Sequence, residues 1–205
     1  MGSLIDYELL LVKEQVRFFH ISNVYELFDK NQNKVGEVRE KTDLLRKITG
    51  RYFLEFYNQD GSLLFTAKKP FGFIKQKFFI YDRSNQLIGH FYKKIISFLP
   101  QFFIYDRTER QIGLLKGDFF AWNFQIIDNQ KQICVIINKI FAGVLKEMFS
   151  TADHYQIMFQ NEKSIDKKLL LAAPFVVDML MKEKNKRNYN LGNSSFKFGG
   201  GAGKI

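Results

Sequence analysis

Two short stretches carry residue types suited to chemistry at a polyanionic surface. Lys68-Lys69-Pro70-Phe71-Gly72-Phe73-Ile74-Lys75-Gln76-Lys77 sets four lysines around two phenylalanines, and Lys93-Lys94-Ile95-Ile96-Ser97-Phe98-Leu99-Pro100-Gln101 repeats the Lys pair, the apolar middle and the Pro. Aromatic and aliphatic groups enter the headgroup boundary of a bilayer while ammonium groups meet anionic lipid, at roughly 1 kcal/mol per basic residue. Lys68, Lys69, Phe71, Phe73, Lys75, Lys77, Lys93 and Lys94 are therefore the candidate lipid-binding set, with an anionic phospholipid membrane surface as partner. The plainer alternative is a row of barrel strands with a solvated lysine edge, which would guard against edge pairing. Lysine pairs beside phenylalanine also suit single-stranded nucleic acid. No recognition helix, zinc finger or RNA-binding sheet signature accompanies them, so no nucleic acid is expected.

Catalytic chemistry finds little to use. His20, His90 and His154 stand apart with no acid–base partner at a recognisable spacing, and read as solvated or structurally bonded. Neither Gly-x-Ser-x-Gly nor His-Glu-x-x-His occurs. Gly199-Gly200-Gly201-Ala202-Gly203-Lys204 lacks the phosphate-loop spacing, the hydroxyl residue after the lysine and a following helix. A binding protein is expected rather than an enzyme. The single cysteine, Cys134, excludes an internal disulfide and any multi-cysteine zinc site. It sits in Ile133-Cys134-Val135-Ile136-Ile137, where a small buried residue fits.

The elements that position these residues follow from a repeat. Phe78-Phe79-Ile80-Tyr81-Asp82-Arg83 recurs as Phe102-Phe103-Ile104-Tyr105-Asp106-Arg107, and each copy leads through polar residues to Gln86-Leu87-Ile88-Gly89 or Gln111-Ile112-Gly113. Looser copies run Leu27 to Gly36, Phe56 to Leu64 and Gln125 to Ile133. Each reads as a strand, a turn built on Asp or Asn, and a returning strand. With 23 Phe among 205 residues and only 3 Pro, the composition favours strands. The span from about residue 18 to 160 has room for roughly a dozen strands. A sheet of that size curls or closes, so a closed antiparallel barrel is expected, with a sandwich as the alternative.

Leu169 to Met181 breaks the alternation. A helix apolar on all sides must be enclosed by protein or lipid. Thirteen residues reach about 20 Å against the roughly 30 Å of a bilayer core, and Asp178 within the run is costly in lipid, so protein is the expected enclosure. Pro174 would cost about 3 kcal/mol in a helix interior, so a start near Ala173 or a kink is expected. An enclosed Asp178 carboxylate needs hydrogen-bond partners and reads as a structural anchor. The chain divides into a domain over 1–184, with a central helix at about 166–183, and a flexible basic Gly-rich tail over 185–205. Met1 to Asp6 shows no signal peptide. The formal charge of +10 points to a polyanionic partner.

Ile137-Asn138-Lys139-Ile140-Phe141-Ala142-Gly143, Lys146-Glu147, Phe149-Ser150-Thr151-Ala152-Asp153 and Phe175-Val176-Val177-Asp178 together resemble the phospholipid scramblase family. That family groups with LURP-one-related proteins in the Tubby C-terminal-like superfamily. The resemblance implies a twelve-stranded antiparallel barrel wrapped around the C-terminal helix. It also implies a calcium segment, of which Asp153 and Glu162 are retained. Thr151 stands at the first ligand place, and Tyr155, Ile157 and Phe159 at intermediate ones, so the set falls short of the six to eight oxygens Ca²⁺ takes. The family's acylated cysteine cluster is missing. Two functions are expected from the resemblance and the basic surface: a scramblase-like protein assisting transbilayer phospholipid movement, or a soluble lipid- or phosphoinositide-binding or scaffold module docking reversibly on anionic membranes. Either places the protein in the cytoplasm, peripheral to the cytoplasmic face of the plasma membrane.

Overall fold

A computed structural model describes residues 2–15, 23–41, 51–70, 77–93, 101–118, 123–140, 154–161 and 164–179. A 3-10 turn, Leu4–Asp6, precedes twelve strands: β1 (Leu9–Gln15), β2 (Val24–Phe28), β3 (Lys34–Glu40), β4 (Tyr52–Asn58), β5 (Leu63–Lys69), β6 (Lys77–Asp82), β7 (Leu87–Lys93), β8 (Phe102–Asp106), β9 (Gln111–Asp118), β10 (Asn123–Asp128), β11 (Ile133–Lys139) and β12 (His154–Phe159). Among the described residues one α-helix, α1, occupies 167–179. Every strand pairs antiparallel with its chain neighbours, and β1 closes the circuit on β12. The expected barrel is thus the observed one, not the sandwich. Its first strand begins at Leu9, ahead of the expected span, because β1 is joined to β2 by a long connection and carries no turn signal of its own.

Alternation explains the wall. In β8, Phe102 and Ile104 are buried in the lumen while Phe103 and Tyr105 face out. The five turns over 29–33, 58–62, 82–86, 106–110 and 128–132 share one design. The first residue's amide donates to the fifth carbonyl and the fourth amide donates back, at 2.9–3.2 Å. The fourth residue is left-handed, with φ between 59° and 80° at Gln32, Gly61, Asn85, Glu109 and Lys131, and a bulge shifts the register just before each turn. Asp29, Asp82, Asp106 and Asp128 each accept two further amides through one carboxylate oxygen. In the remaining turn Asp60 accepts the Ser62 amide instead. That leaves the Asn58 side-chain oxygen to accept the Leu4 amide at 3.0 Å and the Ser3 hydroxyl at 3.2 Å.

The lumen is filled. Leu169 to Ala173, Phe175 to Val177 and Met179 are 0–1% exposed and join one core with the inward side chains of the strands. Asp166 caps α1, its carboxylate accepting the Lys168 amide at 2.8 Å. Of the two expectations at Pro174, the start near Ala173 is corrected: α1 starts at 167 and runs through it. Proline supplies no donor to the Leu170 carbonyl, but burying each large apolar side chain contributes about 1.5–3 kcal/mol, so several of them outweigh the loss.

Glycine makes room at the turn end. A Cβ on Gly36 would lie 2.8 Å from Leu4 Cδ2, and one on Gly89 would overlap the Tyr105 carbonyl oxygen and stand 3.2 Å from Leu169 Cδ1. Gly89→Ala is expected to lower stability by about 1 kcal/mol through this overpacking. A urea midpoint equal to that of the wild type would show that the β7–β8 pair yields at no cost.

Candidate functional site

Antiparallel order sorts the connections. The five tight turns lie at one end of the barrel with the entry of α1, and the six other connections, after β1, β3, β5, β7, β9 and β11, all but the β9–β10 one longer, leave from the other. Lys69 ends β5, Lys77 opens β6 and Lys93 ends β7, so the strand ends flanking both Lys–Phe segments meet at the long-connection end. Phe71, Phe73, Lys75, Lys94, Asp153, Glu162, residues 180–183 and the tail over 185–205 lie outside the described residues.

Period two splits the lysines between the faces. Lys69 pairs with Tyr52, turns inward and is 3% exposed, with its ammonium 5.5 Å from the Tyr52 ring centre. Lys93 pairs with buried Phe102 and shares that inner face. Lys68 lies flat on the outer wall, 4.7 Å from the Tyr81 ring centre, and donates to the Asn85 side-chain oxygen at 2.8 Å, so it reaches toward the tight turns. Lys77 also lies outside, 3.5 Å from Glu109 Oε2.

The outer wall holds a group sequence reasoning misread. His90 is neither solvated nor hydrogen-bonded: it is 0% exposed, and among the described residues neither ring nitrogen has a hydrogen-bond partner. It pairs across strands with Phe79 and Tyr105, stacking on Tyr105 at 4.8 Å and 8°. Glu109 Oε1 stands 3.6 Å from its Nδ1. Burial first, then the charge of Lys77, pushes the imidazole pKa down, against a raising effect of Glu109. The sign that sequence offers is position: His90 occupies a period-two place between two aromatics on neighbouring repeats.

Inside the barrel, Asp178 is 5% exposed and accepts the Tyr25 hydroxyl at 2.5 Å. Burial foremost, then the negative charges of Asp178 and Glu14, pushes the Tyr25 and Tyr155 pKa values above the usual tyrosine value. The helix is thereby tied to β2 near the end where Glu14 pairs with Tyr25.

A cavity of about 690 Å³ opens at the opposite end, beside the start of α1, lined by Asp82, Asp106, Arg107, Arg110, Asp166 and Lys168 among others. Its charges alternate. Thr108 foremost, then, against opposing burial, the Arg110 and Thr108 amides, holds the Asp106 carboxyl below the usual range. Among the described residues no group of three His, Cys, Asp or Glu could hold a metal ion. Among them, too, no helix is long and apolar enough to cross a membrane, which says nothing of crossing by strands.

Twelve antiparallel strands closed around an apolar helix define a Tubby-like barrel. A family model described as Scramblase matches residues 8–184, and the chain belongs to that family. Altered inheritance rate of mitochondria protein 25 of Saccharomyces cerevisiae is similar at 17% identity over 195 residues, covering 77% of this chain; the chain spans 60% of that curated relative's length. An X-ray structure of a protein from Arabidopsis thaliana aligns with a TM-score of 0.55 at 11% identity, covering 88% of this chain and 98% of the other, and shows likeness of fold.

Proposed function

We propose that this protein binds anionic phospholipid and docks on the cytoplasmic face of a membrane through the long-connection end of its barrel. The observation that carries the proposal is the meeting of the Lys69, Lys77 and Lys93 strand ends at the end from which both Lys–Phe segments depart. Membership of the Scramblase family supports a lipid-related role. The filled lumen favours docking over any route for a headgroup through the barrel, so transbilayer movement assisted by this protein would run along its outside.

Reversing Lys75 and Lys94 to Glu is expected to weaken cosedimentation with phosphatidylserine-containing vesicles by about thirtyfold or more, at roughly 1 kcal/mol per charge. Unchanged cosedimentation would overturn the proposal. Reconstitution into liposomes carrying a labelled lipid, with and without Ca²⁺, separates the two modes. Faster leaflet exchange assigns scrambling, and no acceleration in either condition leaves the docking module.

A further inference from the structure

His90 is a buried titratable group on the outer wall with two opposed charges within reach, Lys77 and Glu109. From β6 it is faced by Lys77 and Phe79, from β8 by Tyr105, and from the β8–β9 turn by Glu109. Glu109 stands between two cationic claimants: Lys77 Nζ at 3.5 Å from Oε2, and His90 Nδ1 at 3.6 Å from Oε1. With neutral imidazole, Lys77 holds the carboxylate and the two charges cancel. Protonated His90 is a buried cation needing a partner, and the Glu109 carboxylate stands 3.6 Å from its Nδ1.

We infer that the outer wall of β6–β8 is an acid-strengthened contact for anionic bilayers, in which Glu109 passes from Lys77 to protonated His90 and releases Lys77 toward the lipid. The inference rests on the lipid-docking proposal and adds its regulation. Lys77 opens β6 at the long-connection end, so the released ammonium belongs to the proposed docking end. Tyr92, directly across from Lys77, and Phe103, across from Tyr92, place half-buried aromatic rings on the same outer rows, a composition suited to a headgroup boundary. Charge complementarity names the occupant: the acid state adds one positive charge to this wall of a chain already at +10. The depressed histidine pKa agrees with this arrangement and sets the transition below the ordinary value of about 6.5.

Two measurements on the full chain test the inference. Binding to phosphatidylcholine–phosphatidylserine vesicles should strengthen roughly fivefold for this one charge between about pH 7.5 and about pH 5. His90→Gln should remove that increment while keeping the neutral-pH affinity, and Glu109→Gln should bind at neutral pH as the wild type does in acid. The His90 imidazole, assigned by comparison with His90→Gln, is followed by NMR titration without lipid. Glu109→Gln should lower its pKa and Lys77→Met should raise it. An imidazole insensitive to both substitutions, or a His90→Gln protein retaining the full acid increment, overturns the inference. If vesicle binding is absent at every pH while the imidazole responds as expected, the lipid-docking proposal fails and the acid-strengthened contact fails with it, leaving only the coupling of Glu109 to His90.

Discussion

Replacing Phe175 with alanine is expected to lower the unfolding free energy by about 3–5 kcal/mol, the range for truncating a buried aromatic ring. Phe175 is 0% exposed, and its ring meets Tyr25 at 5.1 Å and 77°, Phe56 at 5.3 Å and 85°, and Tyr155 at 6.0 Å and 63°. These edge-on contacts reach β2, β4 and β12, so one side chain of α1 joins distant parts of the wall, and Phe56 passes the contact on to Phe65 at 4.0 Å. Phe175→Leu should cost less because most of the volume remains. Urea denaturation followed by near-ultraviolet circular dichroism reads both. A loss under about 1 kcal/mol for alanine would mean that α1 does not pack inside the barrel in solution.

The pair of Tyr25 and Asp178 carries the second large effect. Tyr25→Phe leaves a buried carboxylate short of a donor at 2.5 Å, and a hydrogen bond to a charged group contributes about 1.5–3 kcal/mol. Tyr25 and Tyr155 also predict an alkaline limb. Their folded pKa values are raised, so above the ordinary tyrosine value of about 10 the unfolded chain has lost protons that the folded chain still holds. Stability from these two groups is therefore complete below that pH and declines as pH rises through it. Asp178→Asn removes one of the charges that raises both values and should flatten the decline. An alkaline slope identical in wild type, Tyr25→Phe and Asp178→Asn would refute this assignment.

Much of the wall was legible because its turns repeat. Asp82-Arg83 and Asp106-Arg107 mark equivalent hairpins directly, and the same spacing recovers the turns at Asp29, Asn58 and Asp128. β1 and β12 were harder, since their pairing joins the ends of the domain and leaves no local pattern. Enclosure of α1 followed from its length and all-round apolarity, but its start at 167, six residues ahead of Ala173, shows tertiary burial overriding a local preference at Pro174. The face each lysine takes was not legible. Adjacent Lys68 and Lys69 point to opposite faces, and which of the two enters the lumen depends on register with Tyr52 and Phe79. The isolation of His90 was hidden for the same reason: Phe79 and Tyr105 stand beside it only once three strands are aligned.

The helix that fills the lumen follows all twelve strands in the chain. During synthesis, the wall leaves the ribosome before its own stopper exists, and β1 must wait for β12 before the ring can shut. Nascent chains paused before residue 167 would expose the inward rings of Tyr25, Phe56, Phe65, Phe78 and Phe91 with nothing to cover them. Exposed apolar surface of that kind is aggregation-prone until the helix arrives to cover it.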